Sequence, residues 1–278
     1  MVKLKEVRKK AAESLALCLN DSPLADVDYI LKSLGFSKTD IILGEKTISA
    51  KELKIFDAAM ERLKSGEPVQ YVAGRCEFMS LEFAVSPATL IPRCDTEILV
   101  EAVIDFCKGK ESPEILEVGC GSGCVSVSLA HFLPDARILA VDISKDAILV
   151  AKQNAEKNKV SDRVEFRHHN ILEGFSDLNF VPDVVVSNPP YIKSEDIKTL
   201  DKKVRDFEPC LALDGGEDGF DFYRFISKNA ILQNGGLLAF EVGIDQANQV
   251  SKFMSERFKD IKIVKDLAGI ERVVLGEL

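Results

Sequence analysis

A glycine-rich turn between a strand and a helix is the first feature of this sequence that could do chemistry. The stretch Ile115-Leu-Glu-Val-Gly-Cys-Gly-Ser-Gly-Cys-Val places glycines at Gly119, Gly121 and Gly123. Because glycine lets the backbone turn tightly and approach a ligand closely, the loop predicts a site for an adenosine-type ligand at the carboxyl end of the strand. Cys124 stands where the dinucleotide fingerprint has its third glycine, which argues against a nicotinamide ligand.

An aspartate follows the next apolar strand. Asp142 ends the stretch Ile138-Leu-Ala-Val, nineteen residues after Gly123. A carboxylate at such a strand end can accept hydrogen bonds from both ribose hydroxyls of a nucleoside. The alternative is that Asp142 is an ordinary turn residue and that the glycines only form a loop.

The sequence Asn-Pro-Pro-Tyr follows a third apolar strand, Val184-Val-Val-Ser, and occupies Asn188, Pro189, Pro190 and Tyr191. The prolines fix successive φ angles and so predict a rigid loop beside the nucleoside site. The Asn188 side-chain oxygen and a neighbouring backbone carbonyl can accept both hydrogens of a planar NH₂ group, while Tyr191 packs against its flat face. The alternative is a simple strand-terminating turn.

Alternating helices and strands after residue 91 must position these loops. We predict helices at 95–107, 122–133, 145–157, 219–233 and 245–258, and strands at 114–118, 137–142, 163–167, 183–187, 236–242, 261–265 and 271–276. This alternation predicts a doubly wound α/β fold with a mainly parallel sheet. The glycine loop and Asn-Pro-Pro-Tyr then lie side by side at the carboxyl end of the sheet.

Short amphipathic helices account for the first 67 residues. Apolar residues recur at helical spacing over 4–18, and Ser22 followed by Pro23 predicts the start of a second helix. Two stretches have the form of a capping box, from Ser37 to residue 40 and from Ser49 to residue 52. We therefore predict a small bundle of four helices.

The hydrophobic period changes near residue 69. Residues 70–73 and the alternating stretch 77–85 predict a β-hairpin that links the two parts of the chain. The predicted organisation is a helical domain at 1–67, the hairpin linker at 68–90 and the α/β domain at 91–278.

Composition excludes several classes of protein. With 278 residues, 46% of them hydrophobic, 29% charged and a mean hydropathy of +0.03, the chain can bury a full core, which excludes a disordered protein. No run approaches about 18 apolar residues, and charges interrupt the first twenty residues, so we expect a soluble, cytoplasmic protein. The seven scattered cysteines lack a C-x-x-C pair and predict free thiols without a metal site.

The charge is unevenly distributed along the chain. The formal net charge is −9, yet residues 1–90 hold 13 basic and 13 acidic side chains, so the whole deficit lies in the α/β part. An acidic domain is a poor electrostatic partner for a phosphate backbone. We therefore expect no direct nucleic-acid partner.

Together these motifs resemble a known family. The G-x-G-x-G loop, the acidic strand end and Asn-Pro-Pro-Tyr are similar to class I S-adenosylmethionine methyltransferases that act on a planar amino or amide nitrogen. Further stretches resemble the HemK/PrmC proteins, which methylate the glutamine of the Gly-Gly-Gln motif in class I peptide-chain release factors; they lie at 68–74, 89–97, 207–209, 213–219, 235–243 and 266–274. The resemblance covers essentially the whole chain. Ile-Pro-Arg-x-Asp-Thr-Glu is its most specific stretch, whereas nucleic-acid amino methyltransferases share Asn-Pro-Pro-Tyr.

The resemblance implies an S-adenosylmethionine-dependent protein-glutamine N-methyltransferase that releases S-adenosylhomocysteine. It implies a class I methyltransferase fold with a seven-stranded, mainly parallel sheet, preceded by a helical domain that helps to engage the release factor. The expected partner is a class I release factor. We expect no membrane partner, and we expect the enzyme to be a monomer.

The resemblance also assigns roles by position. The expected cofactor-binding residues are Gly119, Cys120, Gly121, Ser122, Gly123, Asp142, Asn170, Ile171 and Asn188, with Asn170 and Ile171 near the adenine. The expected substrate-binding residues are Asn188, Pro189, Pro190 and Tyr191, of which Asn188 and Pro189 are catalytic. The sequence departs from the family at Cys94, where proline is usual, at Asn170, where an acidic residue is common, and at Ile270, where arginine is frequent.

An amide nitrogen is a poor nucleophile because its lone pair is delocalised into the carbonyl. We therefore expect Asn188 and the Pro189 carbonyl to accept the two amide hydrogens and aim the nitrogen at the methyl donor. One alternative is an amino methyltransferase that flips adenine or guanine of DNA or RNA onto Tyr191, against which the net charge of −9 argues. The other is a nicotinamide dehydrogenase or a non-catalytic nucleoside-binding module.

Overall fold

The computed structural model of this chain describes residues 2–18 and 22–278. These residues divide into two units, a smaller one formed by the described part of 1–75 with 201–207 and a larger one formed by 76–200 with 208–278. None of the helices within the described residues is long and apolar enough to cross a membrane.

Helices and strands follow one another along the whole chain. The helices are α1 (Leu4–Ala16), α2 (Pro23–Ser33), α3 (Lys38–Leu43), α4 (Ala50–Lys64), α5 (Val69–Ala73), α6 (Asp95–Cys107), α7 (Cys124–Phe132), α8 (Lys145–Lys157), α9 (Lys202–Phe207), α10 (Asp221–Asn229) and α11 (Ala247–Met254). The strands are β1 (Val2–Lys3), β2 (Thr47–Ile48), β3 (Arg75–Phe78), β4 (Leu81–Ala84), β5 (Glu114–Val118), β6 (Arg137–Asp142), β7 (Val164–His168), β8 (Val184–Ser187), β9 (Leu237–Glu241), β10 (Lys259–Lys265) and β11 (Glu271–Glu277).

The two predicted capping boxes begin helices of the smaller unit. The hydroxyl of Ser37 accepts the backbone N–H of Asp40 at 3.1 Å, and the Asp40 carboxylate accepts the N–H of Ser37 at 3.0 Å. Ser49 and Glu52 make the same pair of bonds at 3.2 and 2.8 Å. Each box satisfies backbone donors that the first helical turn leaves unpaired, so α3 and α4 begin where the sequence predicts.

The apolar faces of these helices pack into one cluster. Its buried members are Leu4, Val7, Ala11, Leu15, Val27, Ile30, Leu31, Phe36, Ile41, Ile48, Phe56, Ala59, Met60 and Leu63. The short strands β1 and β2 pair antiparallel, with Val2 opposite Ile48. The sequence did not predict this pairing.

The predicted strand at residues 70–73 is wrong, because this segment is the helix α5. Pro68 precedes the helix and its carbonyl accepts the N–H of Val72 at 3.1 Å, while Gly74 ends the helix with a left-handed φ of 69°. Val69 and Val72 pack against the helical cluster. This burial outweighs the preference of valine for strands. The hairpin itself consists of β3 and β4.

Seven strands form the sheet of the larger unit in the order β10-β11-β9-β8-β5-β6-β7. β11 runs antiparallel to β10 and β9, and the remaining neighbours are parallel. The predicted α/β class with a doubly wound, mainly parallel seven-stranded sheet is confirmed. After β5 the chain builds outward to β6 and β7 and then returns to β8 on the other side of β5. This reversal opens a crevice at the carboxyl ends of β5 and β8.

Alternate residues of the central strands enter two separate cores. On one face, Ile115, Ile138, Val184, Val186 and Ala239 pack with residues of α6, α7 and α8. On the other face, Leu116, Leu139, Val185, Leu238 and Phe240 pack with residues of α10 and α11. Burial on both faces explains why these strands are continuous apolar runs.

Candidate functional site

A cavity of about 280 Å³ opens at the carboxyl ends of β5, β6 and β8. Ten of the predicted site residues line it: Gly119, Cys120, Gly121, Ser122, Asp142, Asn170, Ile171, Asn188, Pro189 and Pro190. The other two predicted residues, Gly123 and Tyr191, are not among the described residues that line the cavity. The strand order therefore places the glycine loop and Asn-Pro-Pro in the wall of the same cavity.

Asp142 braces the glycine loop against β6. One carboxylate oxygen accepts the backbone N–H of Gly121 at 2.8 Å, and the other accepts the N–H of Ser144 at 2.8 Å. Burial raises the pKa of Asp142, and these backbone hydrogen bonds act in the opposite direction. Because each oxygen can accept more than one hydrogen bond, the carboxylate can still accept from a ligand in the cavity.

Glu117 is a second carboxyl group in the wall, and the sequence analysis did not predict it. It is only 3% exposed, and it accepts the backbone N–H of Ser126 at 3.0 Å. Burial raises its pKa to about 8, and the charge of nearby Asp142 adds to the shift. A charged residue between the apolar residues Leu116 and Val118 of β5 was the available signal. A cationic ligand beside these two carboxyl groups would lower both pKa values and favour their charged forms.

The loop that follows β8 is tied to both neighbouring elements. The hydroxyl of Ser187 donates to the carbonyl of Val118 at 2.7 Å, which joins the ends of β8 and β5. The side-chain NH₂ of Asn188 donates to the hydroxyl oxygen of Thr96 at 3.2 Å. Thr96 also lines the cavity and lies in the first turn of α6. The orientation of the Asn188 amide is thus set from the side of α6.

Tyr191 lies outside the cavity wall and packs against the core formed with α10 and α11. Its backbone carbonyl accepts the side-chain NH₂ of Gln246 at 3.0 Å. A side chain on Gly215 would come within 2.8 Å of the Pro190 carbonyl oxygen, so glycine lets the 213–219 loop press against Asn-Pro-Pro-Tyr. Burial raises the pKa of Tyr191 to about 12, so its phenol stays protonated at neutral pH.

An ion pair joins the two loops that complete the wall. Arg93 contacts Glu208 at 2.5 Å, and the backbone N–H of Ile91 donates to the same carboxylate at 3.2 Å. The Glu208 side chain is buried, whereas the Arg93 side chain is 37% exposed, so solvent reaches the pair from the arginine side. The sequence analysis quoted both loops as family stretches without assigning either residue a role.

The turn after β7 closes the far side of the cavity. Asn170 accepts the backbone N–H of Leu172 at 3.2 Å and donates to Glu173 at 3.2 Å, so its side chain shapes a short 3₁₀ turn. His168 and His169 each bond a backbone carbonyl through Nε2, at 2.9 and 2.8 Å. Within residues 2–18 and 22–278, no group of three or more His, Cys, Asp or Glu side chains is arranged to hold a metal ion.

Comparison with known proteins identifies the family. The model of the methyltransferase small domain matches residues 94–215, and the model of the PrmC N-terminal domain matches residues 6–74. A release factor glutamine methyltransferase of Clostridium acetobutylicum is 40% identical over 263 residues, which cover 92% of each chain. This chain belongs to the release factor glutamine methyltransferase family. The predicted resemblance to HemK/PrmC proteins is confirmed.

Another member of the family, from Fusobacterium nucleatum, is 37% identical over 278 residues, covering 98% of this chain and 78% of its own. Solved structures resemble the fold at much lower identity. The hMettl16 catalytic domain is 12% identical with a TM-score of 0.57 and 82% coverage of both chains. A methyltransferase from Pyrococcus furiosus is 18% identical with a TM-score of 0.50, covering 72% of this chain and 89% of its own. The class I methyltransferase fold expected of the family is thus present.

Proposed function

We propose that this enzyme transfers a methyl group from S-adenosylmethionine to the side-chain amide nitrogen of the glutamine in the Gly-Gly-Gln motif of class I peptide-chain release factors. The relatives that share most of its length are named release factor glutamine methyltransferases. The observation that carries the proposal is the position of Asn188 in the cavity wall, with its NH₂ end held by Thr96. Its oxygen is then available to accept an N–H of the target amide.

The wall of the cavity fits S-adenosylmethionine. A side chain built on Gly119 or Gly121 would meet no heavy atom within 4 Å, so the glycines leave room that other residues would fill. Asp142 would hold the ribose, and Glu117 together with Asp142 suits a cationic ligand. Gly119, Cys120, Gly121, Ser122 and Gly123 would form the loop around the methionine and ribose, and Asn170 and Ile171 would flank the adenine. When bound, S-adenosylmethionine supplies a methyl group on a positively charged sulfur, which becomes a neutral thioether as the amide nitrogen takes the methyl.

The chain's own residues position the target amide. Asn188 Oδ1 and the Pro189 carbonyl accept its two hydrogens and direct the nitrogen into the cavity. Pro189 and Pro190 hold this arrangement because their ring-closed backbones lose little freedom on binding. The N–H becomes acidic as the new N–C bond forms, and the nitrogen gives its surplus proton to water. Pro190 and Tyr191 complete the substrate side of the loop.

The helical unit would engage the release factor. The PrmC N-terminal domain model matches most of this unit, and relatives that share it bear the release factor name. We assign recognition to residues 1–67, the linker to 68–90 and chemistry to 91–278. The enzyme would act as a monomer in the cytoplasm on its protein substrate, without binding nucleic acid.

Incubation with methyl-labelled S-adenosylmethionine tests this function. The substrates would be a class I release factor, the same factor with its motif glutamine replaced by alanine, double-stranded DNA and ribosomal RNA. We expect label only on the unaltered factor. Label on DNA or RNA would instead support the nucleic-acid amino methyltransferase, and label on the glutamine-free factor would place the target elsewhere.

A further inference from the structure

Asn188 belongs to a largely buried cluster of polar side chains. It consists of Thr96, Asn188 and Glu241, which come from α6, the loop after β8 and the end of β9. The NH₂ group of Asn188 donates to the Thr96 hydroxyl oxygen at 3.2 Å. Thr96 is 2% exposed, so water does not compete for this hydroxyl.

The register of the sheet places Glu241 beside Asn188. Ser187 pairs with Phe240 in the parallel ladder of β8 and β9, so the residues that follow them lie next to one another. Tyr223 fixes the end of β9, because its hydroxyl donates to the backbone carbonyl of Glu241 at 2.9 Å. The carboxyl group of Glu241 is therefore held at the base of the Asn-Pro-Pro-Tyr loop.

Glu241 is an unusual residue to bury. It is 3% exposed, and its Oε2 atom has no hydrogen-bond partner within the described part of the chain. Burial raises its pKa to about 7, whereas the hydrogen-bonding side chains of Thr96 and Asn188 favour the charged form. A buried carboxyl oxygen without a partner costs stability. Packing alone gives no reason for a glutamate at this position.

The orientation of an asparagine amide depends on its neighbours, because its oxygen and nitrogen ends have nearly the same shape. Thr96 and Glu241 both present oxygen acceptors, which attract the NH₂ end of Asn188. The opposite orientation would bring the Asn188 oxygen against the Glu241 carboxylate. It would also present N–H donors to a target amide that itself needs acceptors.

We propose that Thr96 and Glu241 are positioning residues, which hold the Asn188 amide with its oxygen directed at the glutamine amide of the substrate. The inference rests on the proposed function, since only a target that donates N–H groups requires this orientation. Thr96 also lines the cavity, but the role proposed for both residues is to orient Asn188. Both act through Asn188, so their loss should slow methyl transfer while leaving donor binding unchanged.

Single-turnover methyl transfer to saturating release factor tests the proposal in the full-length enzyme. Thr96→Val keeps the shape of the side chain but removes the hydroxyl, and we expect a rate loss of about 3- to 10-fold, the range for one neutral hydrogen bond. Glu241→Gln gives the site an NH₂ group of its own, and we expect a loss of about 10- to 100-fold, the range for a bond to a charged group. Thr96→Ser should restore the rate to within about twofold because it restores the hydroxyl.

A double-mutant cycle separates positioning from a purely structural role. In the Asn188→Ala background there is no amide left to orient, so Thr96→Val and Glu241→Gln should cause no further loss of rate. Full additive losses in that background would overturn the proposal. A Thr96→Val enzyme that matches the wild-type rate would also overturn it.

Ser227→Ala is the matched control, because Ser227 is a buried hydroxyl of α10, 1% exposed, outside the cavity wall. Its rate should equal that of the wild type. Calorimetric titration with S-adenosylmethionine should give each variant a dissociation constant within about threefold of the wild type, which also shows that the variant is folded. An inactive wild type would contradict the proposed function, whereas an active wild type with unaffected variants would contradict only the positioning role.

Discussion

The glycine loop and the Asn-Pro-Pro-Tyr loop form adjacent walls of one cavity by opposite means. Gly119, Gly121 and Gly123 all adopt positive φ angles, at 76°, 53° and 75°, which other residues rarely adopt. The loop at 188–191 instead contains two prolines, which restrict the backbone. The glycine loop leaves space in the cavity because its glycines have no side chains. The proline loop holds its polar groups in fixed directions because its backbone is restricted.

This difference predicts two separable kinds of failure. Changes in the wall formed by the glycine loop and Asp142 should weaken binding of the methyl donor or the fold around it. Changes in the Asn188 wall should slow the chemical step, because under the proposed function the group lost there would direct the attacking nitrogen.

Asn188→Ala should have the largest effect. We expect single-turnover transfer to fall on the order of 10²- to 10³-fold, as for the loss of one aimed hydrogen-bonding group from an active site. Affinity for S-adenosylmethionine should change only modestly. Asn188→Asp keeps an acceptor oxygen of the same size and should retain more activity. A rate within threefold of the wild type for Asn188→Ala would contradict the mechanism and leave the donor site unaffected.

Asp142→Ala should weaken S-adenosylmethionine binding by about 1.5–3 kcal/mol, because it removes hydrogen bonds to a charged group. Isothermal calorimetry measures this change directly. At saturating donor the single-turnover rate should recover most of its wild-type value, in contrast to Asn188→Ala. Since Asp142 also accepts the N–H groups of Gly121 and Ser144, thermal unfolding should accompany the titration to confirm a folded variant. Unchanged affinity in a folded variant would remove Asp142 from the binding site.

Gly123→Ala and Gly119→Ala form a matched pair within one loop. Both impose a left-handed backbone on alanine, which costs about 1–2 kcal/mol. At Gly123 the new methyl group would also lie 3.0 Å from the side chain of Ala151, whereas nothing lies within 4 Å at Gly119. We expect Gly123→Ala to lower the free energy of unfolding by about 1 kcal/mol more than Gly119→Ala. Urea unfolding of both variants checks this order, and equal losses would mean that the contact with α8 is easily relieved.

Glu117→Gln should change how stability depends on pH. The folded state raises the pKa of Glu117 to about 8, above its ordinary value of 4.5. The carboxyl therefore favours folding below pH 4.5, and this contribution is lost as the pH rises through about 8. Between pH 6 and pH 7 the wild type should lose on the order of 1 kcal/mol of stability relative to Glu117→Gln. If the free energy of unfolding changes equally between the two pH values in the wild type and in Glu117→Gln, the raised pKa of Glu117 is contradicted.

Much of the fold follows from local patterns in the sequence. The capping boxes at Ser37 and Ser49 and the continuous apolar strands are local signals, and each correctly predicts an element. The failure at 70–73 has a non-local cause. Valines favour strands in isolation, but here Val69 and Val72 pack against a helical core that includes members as distant in sequence as Leu4 and Leu31. The pairing of β1 with β2 likewise joins segments that the sequence does not connect.

The site divides in the same way. The glycine loop, Asp142 and Asn188 lie in short motifs at strand ends, and the structure brings them to one cavity. Thr96 and Glu241 come to lie next to Asn188 only through the docking of α6 and the register of β8 with β9. Both residues lie in stretches that resemble the family, 89–97 and 235–243, but no spacing in the sequence encodes that register, so motifs alone could not assign their role.

The strand order also affects the path by which the protein folds. β6 pairs with β5 only 23 residues away, Arg137 opposite Glu114, whereas the Ser187 hydroxyl reaches the carbonyl of Val118 across 69 residues. Closing the longer loop costs more chain entropy, and pairings distant in sequence form more slowly. We therefore expect the nucleoside half of the cavity to take shape before Asn188 arrives. The crevice between the glycine loop and Asn188 is therefore completed only when the more distant of the two strand pairings has formed.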